Sequence, residues 1–382
     1  PQICCGCESL LPAIARDDSS IFGRWWWTVD RWTLLGIGVL MAFGMMLIFA
    51  ASPPVAERIG LDPLHFVRRQ SIVLFPSIIV LLSVSMLTIR GVRRLSAIAF
   101  GGAIALMVLT LLIGPEIKGA QRWVVISGFS VQPSEFVKPA FAIIAAWIFA
   151  SRRLGADIPG YWMSAGLYAA VMALLLMQPD VGQAIVISVI WFSQWFLAGL
   201  PMIWVGLFCV LGFAGCIGAY LLFPHVANRI DRFLNLSAGD TYQVDRAMEA
   251  FLNGGLLGRG PGHGTVKVYI PDAHADFILA VAGEEFGLIA CLFIVLLFAA
   301  ILVRGFSRIL HDSNLFVVLA ATGLLLQFGL QALINMASTI NLMPTKGMTL
   351  PFISYGGSSL LALAFGMGAL LALTRKRVGD QE

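Results

Sequence analysis

The stretch Tyr269-Ile270-Pro271-Asp272-Ala273-His274-Ala275-Asp276-Phe277-Ile278-Leu279-Ala280-Val281-Ala282-Gly283-Glu284-Glu285 leads from a polar loop straight into an apolar run that continues to residue 303. A run of that length crosses the hydrocarbon core as a helix. Yet Asp276 opens it, and Glu284 and Glu285 lie inside it. Charges within a span are costly enough to count as functional positions by default. The bland alternative is that Asp276 caps the helix N-terminus, where carboxylates are favoured. Three carboxylates on one segment, directly behind a long loop, weigh toward chemistry. On a continuous helix Glu284 lies about 12 Å along the axis and roughly 80° around from Asp276. It is therefore expected to line the same cavity, while Glu285 faces the other way and pairs with a basic group in the bundle. His274 lacks neighbouring metal ligands and reads first as a hydrogen-bonding surface residue.

The rest of the chain has the same character. Of 382 residues, 59% are hydrophobic and 12% charged, and the mean hydropathy is +0.87. Soluble domains carry about 25% charged residues. A water-soluble fold of this size cannot hide so much apolar surface, so the bilayer is part of its solvent. Apolar stretches near 33–51, 70–88, 95–113, 135–150, 161–177, 183–198, 203–223, 275–303, 314–336 and 353–374 give an all-α integral membrane protein of ten transmembrane helices. Residues 1–32 read as a cytoplasmic N-terminal segment, 33–377 as the membrane domain and 378–382 as a cytoplasmic tail. No secretory cleavage pattern precedes the first span, which is expected to stay as an anchor. A net charge of +4 gives no sign of nucleic acid as a partner. The six Cys form no disulfide framework, and Cys4, Cys5 and Cys7 have no fourth metal ligand near them. Residues 1–20 read as an atypical start.

Orientation follows from the basic residues in short connections, which favour the cytoplasm. With both termini inside, the cytoplasmic segments carry Arg16, Arg24, Arg31, Arg90, Arg93, Arg94, Arg152, Arg153, Arg304, Arg308, Arg375, Lys376 and Arg377. The short outer loops carry only Arg58, Arg68, Arg69, Lys118, Arg122 and Lys346. One long extracytoplasmic loop, 224–274, falls between the seventh and eighth spans, and such loops usually carry function. Its run Gly254-Gly255-Leu256-Leu257-Gly258-Arg259-Gly260-Pro261-Gly262-His263-Gly264 permits tight turns and lets backbone N–H groups face a ligand. Before it, 243–253 reads as a short amphipathic helix on the membrane surface.

Basic groups gather on the same side. Arg122 lies in the second outer loop. Lys138 stands one turn into a span after Gln132-Pro133-Ser134-Glu135, where its ammonium meets either a phosphate or simply Glu135. Lys346 and Ser354 belong to Met343-Pro344-Thr345-Lys346-Gly347-Met348-Thr349-Leu350-Pro351-Phe352-Ile353-Ser354-Tyr355-Gly356-Gly357-Ser358-Ser359. Its prolines and glycines point to a re-entrant or broken segment beside a protein-lined cavity, and its Gly/Ser-rich setting favours Lys346 as an anion site.

At these residues the chain resembles the SEDS family of bacterial cell-wall polymerases, the FtsW and RodA proteins, and more closely the FtsW branch. The matching segments are Arg122-Trp123 with Gln132-Pro133-Ser134-Glu135, Gln178-Pro179-Asp180, Gly254-Gly255 through Gly258, Ala273-His274-Ala275-Asp276-Phe277-Ile278 into Gly283-Glu284-Glu285, and Pro351 through Ser359. They span residues 33–377 in the family's order, and Pro344-Thr345-Lys346-Gly347 looks like the division-type member. Ala275 stands where Thr is common in the family, and Asp272 where Glu is common. The resemblance implies a peptidoglycan glycosyltransferase of septal cell-wall synthesis, polymerising lipid II outside the bacterial cytoplasmic membrane. It also implies a class B penicillin-binding protein, an FtsI-like transpeptidase, as partner among other divisome membrane proteins.

Under that resemblance Asp276 is expected to be the general base of an inverting transfer. Arg122, Lys138, Lys346, Glu284, His274 and Ser354 are the candidate substrate contacts. No protein metal site is expected, although a divalent cation, Mg or Mn, is compatible with a pyrophosphate substrate. Two rivals fit ten spans with intramembrane charges: a lipid II flippase, which needs alternating access and no base, and a RodA-type elongation polymerase. A scaffold that only recruits its partner enzyme is a third.

Overall fold

The computed structural model describes residues 20–116, 121–126, 129–223, 226–228, 231, 242–344 and 347–375, and most of these are helical. Helix α1 (Ile21–Thr28) leads into α2 (Arg31–Arg58), α3 (His65–Ser85) and α4 (Ile89–Ile113). Then come α5 (Pro133–Arg153), α6 (Gly160–Met177), α7 (Val181–Leu197) and α8 (Met202–Leu222). After α9 (Tyr242–Gly254) follow α10 (Ile278–Ile309), α11 (Leu315–Thr339) and α12 (Gly357–Leu373). Local sequence explains many of the starts. Asp30, Thr88, Asp180 and Asn314 cap α2, α4, α7 and α11 through their side chains, and Pro133 opens α5 where no N–H is needed.

Eight of these helices, namely α2 to α6, α8, α10 and α11, are long and apolar enough to cross a membrane. Helices α7 and α12 are apolar but shorter, at 17 residues each. The centre of the bundle is α5, with 83% of its apolar window buried, and α11, with 67%; α8 buries none of its window and lies at the periphery. Helix α12 lies along α3 and also packs on α5 and α11. Between helices in lipid there is little hydrophobic drive, so small residues that allow close approach matter. A Cβ on Gly366 would meet Pro139 at 3.2 Å, and one on Gly368 would lie 2.7 Å from the Leu81 carbonyl.

In its backbone the structure departs from the sequence reading at four places. The eighth span was expected from residue 275, but 271–277 is a series of turns and α10 starts at Ile278. The last was expected from 353, yet 347–356 is irregular and mostly buried, and α12 starts at Gly357. This is the broken segment that its prolines and glycines announce. It sinks against α2, where a Cβ on Gly44 would lie 2.6 Å from the Phe352 carbonyl oxygen. The all-α reading also missed a short antiparallel hairpin, β1 (Val124–Ile126) with β2 (Phe129–Val131), in the loop between α4 and α5. Its β-branched residues suit strands, but three-residue runs are too short to show a period.

The fourth departure concerns the glycine run. Inside α10, Gly287 is not helical: φ is 77° and ψ −176°. Such a break strands backbone groups that cannot be left bare in a membrane protein. The glycine run supplies them. The Arg259 and Gly260 N–H groups donate to the Glu284 and Glu285 carbonyls at 2.9 and 3.0 Å. In return the Leu288 and Ile289 N–H groups donate to the Gly255 and Leu256 carbonyls at 3.0 and 3.3 Å. Close backbone contact requires glycine on both sides: a Cβ on Gly287 would lie 2.5 Å from the Gly258 nitrogen, and one on Gly258 2.6 Å from the Phe286 nitrogen. The run is thus a main-chain joint with α10, and these two of its N–H groups do not face a ligand.

Candidate active site

Asp276 sits half-buried in the turns before α10. It is not a helix cap, because the N-cap residue is Phe277 and makes no side-chain capping bond. The turn is closed by the Ala275 and Asp276 N–H groups, which both donate to the Asp272 carbonyl, at 2.9 and 3.1 Å. Asp272 adopts φ of 52° to allow it. Across from this turn is the re-entrant segment: a Cβ on Gly347 would lie 3.6 Å from Asp276 Oδ2. Lys346, the preceding residue, lies outside the described residues, as does Lys118. Ser354 is buried, and its hydroxyl accepts the Leu350 N–H at 2.8 Å, which closes the 350–354 turn.

His274 is 7% exposed and does not sit at the surface. Its ring lies between Phe66, centroids 4.0 Å apart, and Tyr355, 5.1 Å away. Its carbonyl accepts the Tyr355 N–H at 2.9 Å, so the residue joins α3, the Asp276 turn and the re-entrant segment. Burial pushes its imidazole down to about 4; the nearby Asp272 opposes this and Arg58 adds to it.

Glu284 is fully buried and does not share a cavity with Asp276. The helical interpolation between the two fails because α10 begins only at Ile278. Instead its Oε1 accepts the Thr265 and Val266 N–H groups, both at 2.7 Å, and the Asn253 amide at 2.8 Å. Its Oε2 accepts the Lys267 N–H at 2.7 Å. Glu285 pairs with Lys267, as a buried charge on that face requires, and also accepts the Gly262 N–H at 3.1 Å. Lys267 Nζ further donates to the Ala50 carbonyl at 2.9 Å. The two carboxylates hold the loop 253–267 onto the bundle.

Arg122 and Lys138 belong to one buried polar chain. The Arg122 guanidinium donates to the Gln178 carbonyl at 2.9 Å and to the Pro179 carbonyl, and lies 3.7 Å from Asp180. Burial raises the Asp180 carboxyl although Arg122 opposes it. Gln183 donates from α7 to Glu135. Lys138, 1% exposed, donates to Glu135 at 2.9 Å and to Gln331 Oε1 at 3.2 Å. Gln331 donates onward to the Thr349 carbonyl and to Ser359, each at 3.2 Å. Asn335, one turn further along α11, donates to the Met348 carbonyl at 2.7 Å and to the Asp276 carbonyl at 3.0 Å. Both cations are therefore partnered internally, and the chain they anchor reaches the Asp276 turn.

Gln331 and Asn335 were missed as candidates. Their signal is in the sequence: Gln327, Gln331 and Asn335 recur every fourth residue of an otherwise apolar span, which places three amides on one helix face. Among the described residues, no group of three or more His, Cys, Asp or Glu side chains is placed to hold a metal ion.

The cell cycle protein family FtsW/RodA/SpoVE matches residues 31–378. A protein of Caulobacter vibrioides named probable peptidoglycan glycosyltransferase FtsW is 45% identical over 368 residues, covering 96% of this chain and 94% of its own. The Coxiella burnetii protein of the same name is 33% identical, over 91% of this chain and 96% of its own. Among solved structures, a chain from a peptidoglycan synthase complex that coordinates polymerization and crosslinking superposes with a TM-score of 0.74. It is 27% identical, over 91% of this chain and 97% of that one. Since the family's pattern runs almost from end to end and the fold agrees, the chain belongs to the FtsW/RodA/SpoVE family of cell cycle proteins.

Proposed function

We propose that the chain is a peptidoglycan glycosyltransferase that polymerises lipid II in septal cell-wall synthesis, with Asp276 as general base. The observation that carries the site assignment is the setting of Asp276: a half-buried carboxylate outside any helix, turned toward the re-entrant segment at Gly347. The reaction is supported by the relatives' name, peptidoglycan glycosyltransferase FtsW, which also favours the division branch over RodA. All ten apolar helices cross the cytoplasmic membrane in this reading, with both termini inside and the loop between α8 and α10 outside. Residues 33–377 form the catalytic unit.

The acceptor 4-hydroxyl gives its proton to Asp276 as its oxygen bonds to the donor's anomeric carbon. The bond from that carbon to the pyrophosphate oxygen breaks, and its electron pair leaves on the polyprenyl pyrophosphate. A leaving group that is already a stable anion needs no acid, so one base plus cationic stabilisation suffices. Glycosidases, by contrast, usually need two carboxyls. Lys346, adjacent to Gly347, is the cation we assign to the pyrophosphate. Arg122, Lys138 and Glu284 act as supports of the site. Among the described residues no group of three or more His, Cys, Asp or Glu side chains is placed to hold a divalent cation. A class B penicillin-binding protein at the septum is the proposed partner, supported by the likeness to a synthase complex.

The test is chain extension of fluorescent lipid II by the purified protein with that partner, set against translocation in liposomes. Asp276→Asn is expected to lose about 100-fold or more of polymerisation while expressing normally. Glycan synthesis at the normal rate by that variant would sink the assignment, and translocation without polymerisation by the unaltered protein would replace it with a flippase.

A further inference from the structure

We infer that Asn335 is a positioning residue for the transfer reaction, holding the Asp276 turn at a fixed separation from the re-entrant segment; this rests on the assignment of Asp276 as base. Asn335 sits 1% exposed near the end of α11. An amide in a membrane-buried helix is costly to desolvate and a weak helix former, so its presence needs a return. Its NH2 group spends one bond on the Met348 carbonyl, 2.7 Å away, and one on the Asp276 carbonyl, 3.0 Å away. Both partners are carbonyl oxygens, so only the nitrogen side of the amide can face them, and its orientation is fixed by chemistry. Its Oδ1 has no hydrogen-bond partner among the described residues. The internal work of this amide is therefore to donate, to two segments far apart in sequence.

Those two segments are the ones the reaction must hold together. Met348 follows Gly347, whose Cβ position would lie 3.6 Å from Asp276 Oδ2. Neither segment is helical: 271–277 is turns and 347–350 is irregular. Without a regular backbone ladder, their relative placement depends on cross-links, and one amide group links both to the rigid helix α11. The base and the anion-facing segment are thus referenced to the same nitrogen atom. Displacing a reacting group by about 1 Å costs on the order of 100-fold in rate, so a loosened clamp is expected to slow turnover without weakening substrate capture.

The experiment compares Asn335→Leu and Asn335→Asp with the unaltered protein in lipid II polymerisation, each assayed in complex with the class B partner. Asn335→Leu removes both donors while keeping the number of side-chain heavy atoms; kcat is expected to fall about 10- to 100-fold with KM within about twofold. Asn335→Asp offers no donor when ionised and one when protonated. Its activity relative to the unaltered protein is therefore expected to rise as pH falls, although absolute rates drop as Asp276 is protonated. A merely structural amide predicts a pH-independent ratio and a loss that follows thermal stability, and either result overturns the inference, as does an unchanged kcat. Asp276→Asn run in parallel separates the two claims. If it remains active, the base assignment fails; if it is inactive while the Asn335 variants keep full kcat, positioning alone fails.

Discussion

His274 was expected at the surface, in hydrogen-bonding reach of substrate, and is instead an aromatic plate closed between Phe66 and Tyr355. The sequence had no way to reveal this, because Phe66 and Tyr355 lie more than 80 residues from one another and from His274. A free imidazole titrates near 6.5, and burial pushes this one down to about 4. The stability tied to its neutral form is thus complete above about pH 6.5 and is lost as pH falls toward 4, an effect of about 3 kcal/mol. His274→Phe keeps the stack and removes the titration. Its thermal midpoint is expected to match the unaltered protein at pH 7 within a few degrees and to fall less by pH 5. Its glycan synthesis is expected to stay within about threefold, because an enclosed neutral ring has no proton to trade at pH 7; a loss beyond 100-fold would return it to the substrate contacts. Asp276, by contrast, stands out in the sequence as a carboxylate at a membrane boundary, which is what makes it the candidate base. Glu284 and Glu285 were equally legible as charges, but which groups they meet depended on where the helix begins.

At the scale of elements, the sequence located nearly every helix, because long apolar runs leave no other structure in lipid. What it did not reveal was the pairing between the glycine run and the break in α10. That joint is made of main-chain groups, and a main-chain bond leaves no side-chain signature except the glycines that permit it. Two substitutions separate a required glycine from a tolerated one. Gly287→Ala places a Cβ 2.5 Å from the Gly258 nitrogen at φ of 77°, and it is expected to cost about 3 kcal/mol or more and to abolish polymerisation. Gly255→Ala, at φ of 58° with open space around it, is expected to cost only about 1 kcal/mol and to stay active. Thermal unfolding in detergent reads both; equal losses would mean that the joint contributes nothing special.

Across the whole molecule, the polar chain from Arg122 through Asp180, Gln183, Glu135, Lys138 and Gln331 to Thr349 links α7, α5, α11 and the 347–356 segment. Lys138 was read with two options, a phosphate ligand or a partner of Glu135, and the 2.9 Å pair at 1% exposure favours the second. A buried pair is worth little against apolar replacements but is costly to split. Lys138→Met or Glu135→Leu alone is expected to destabilise by about 3–5 kcal/mol, with the double variant recovering part of the loss. Strict additivity in chemical denaturation would argue that the two charges are independent. A stable double variant whose KM alone has risen would restore Lys138 to the substrate. The break at Gly287 also has a mechanical meaning for the enzyme in its natural setting. Membranes vary in thickness, and long helices answer by tilting. The portion of α10 beyond Gly287 packs on α2 and α11 and pairs through Arg304 and Arg308 with Asp30, while the short portion before it is laced to the 253–267 loop. A tilt of the long portion is therefore not passed through a continuous helix to the turn that carries Asp276, because the break at Gly287 lies between them.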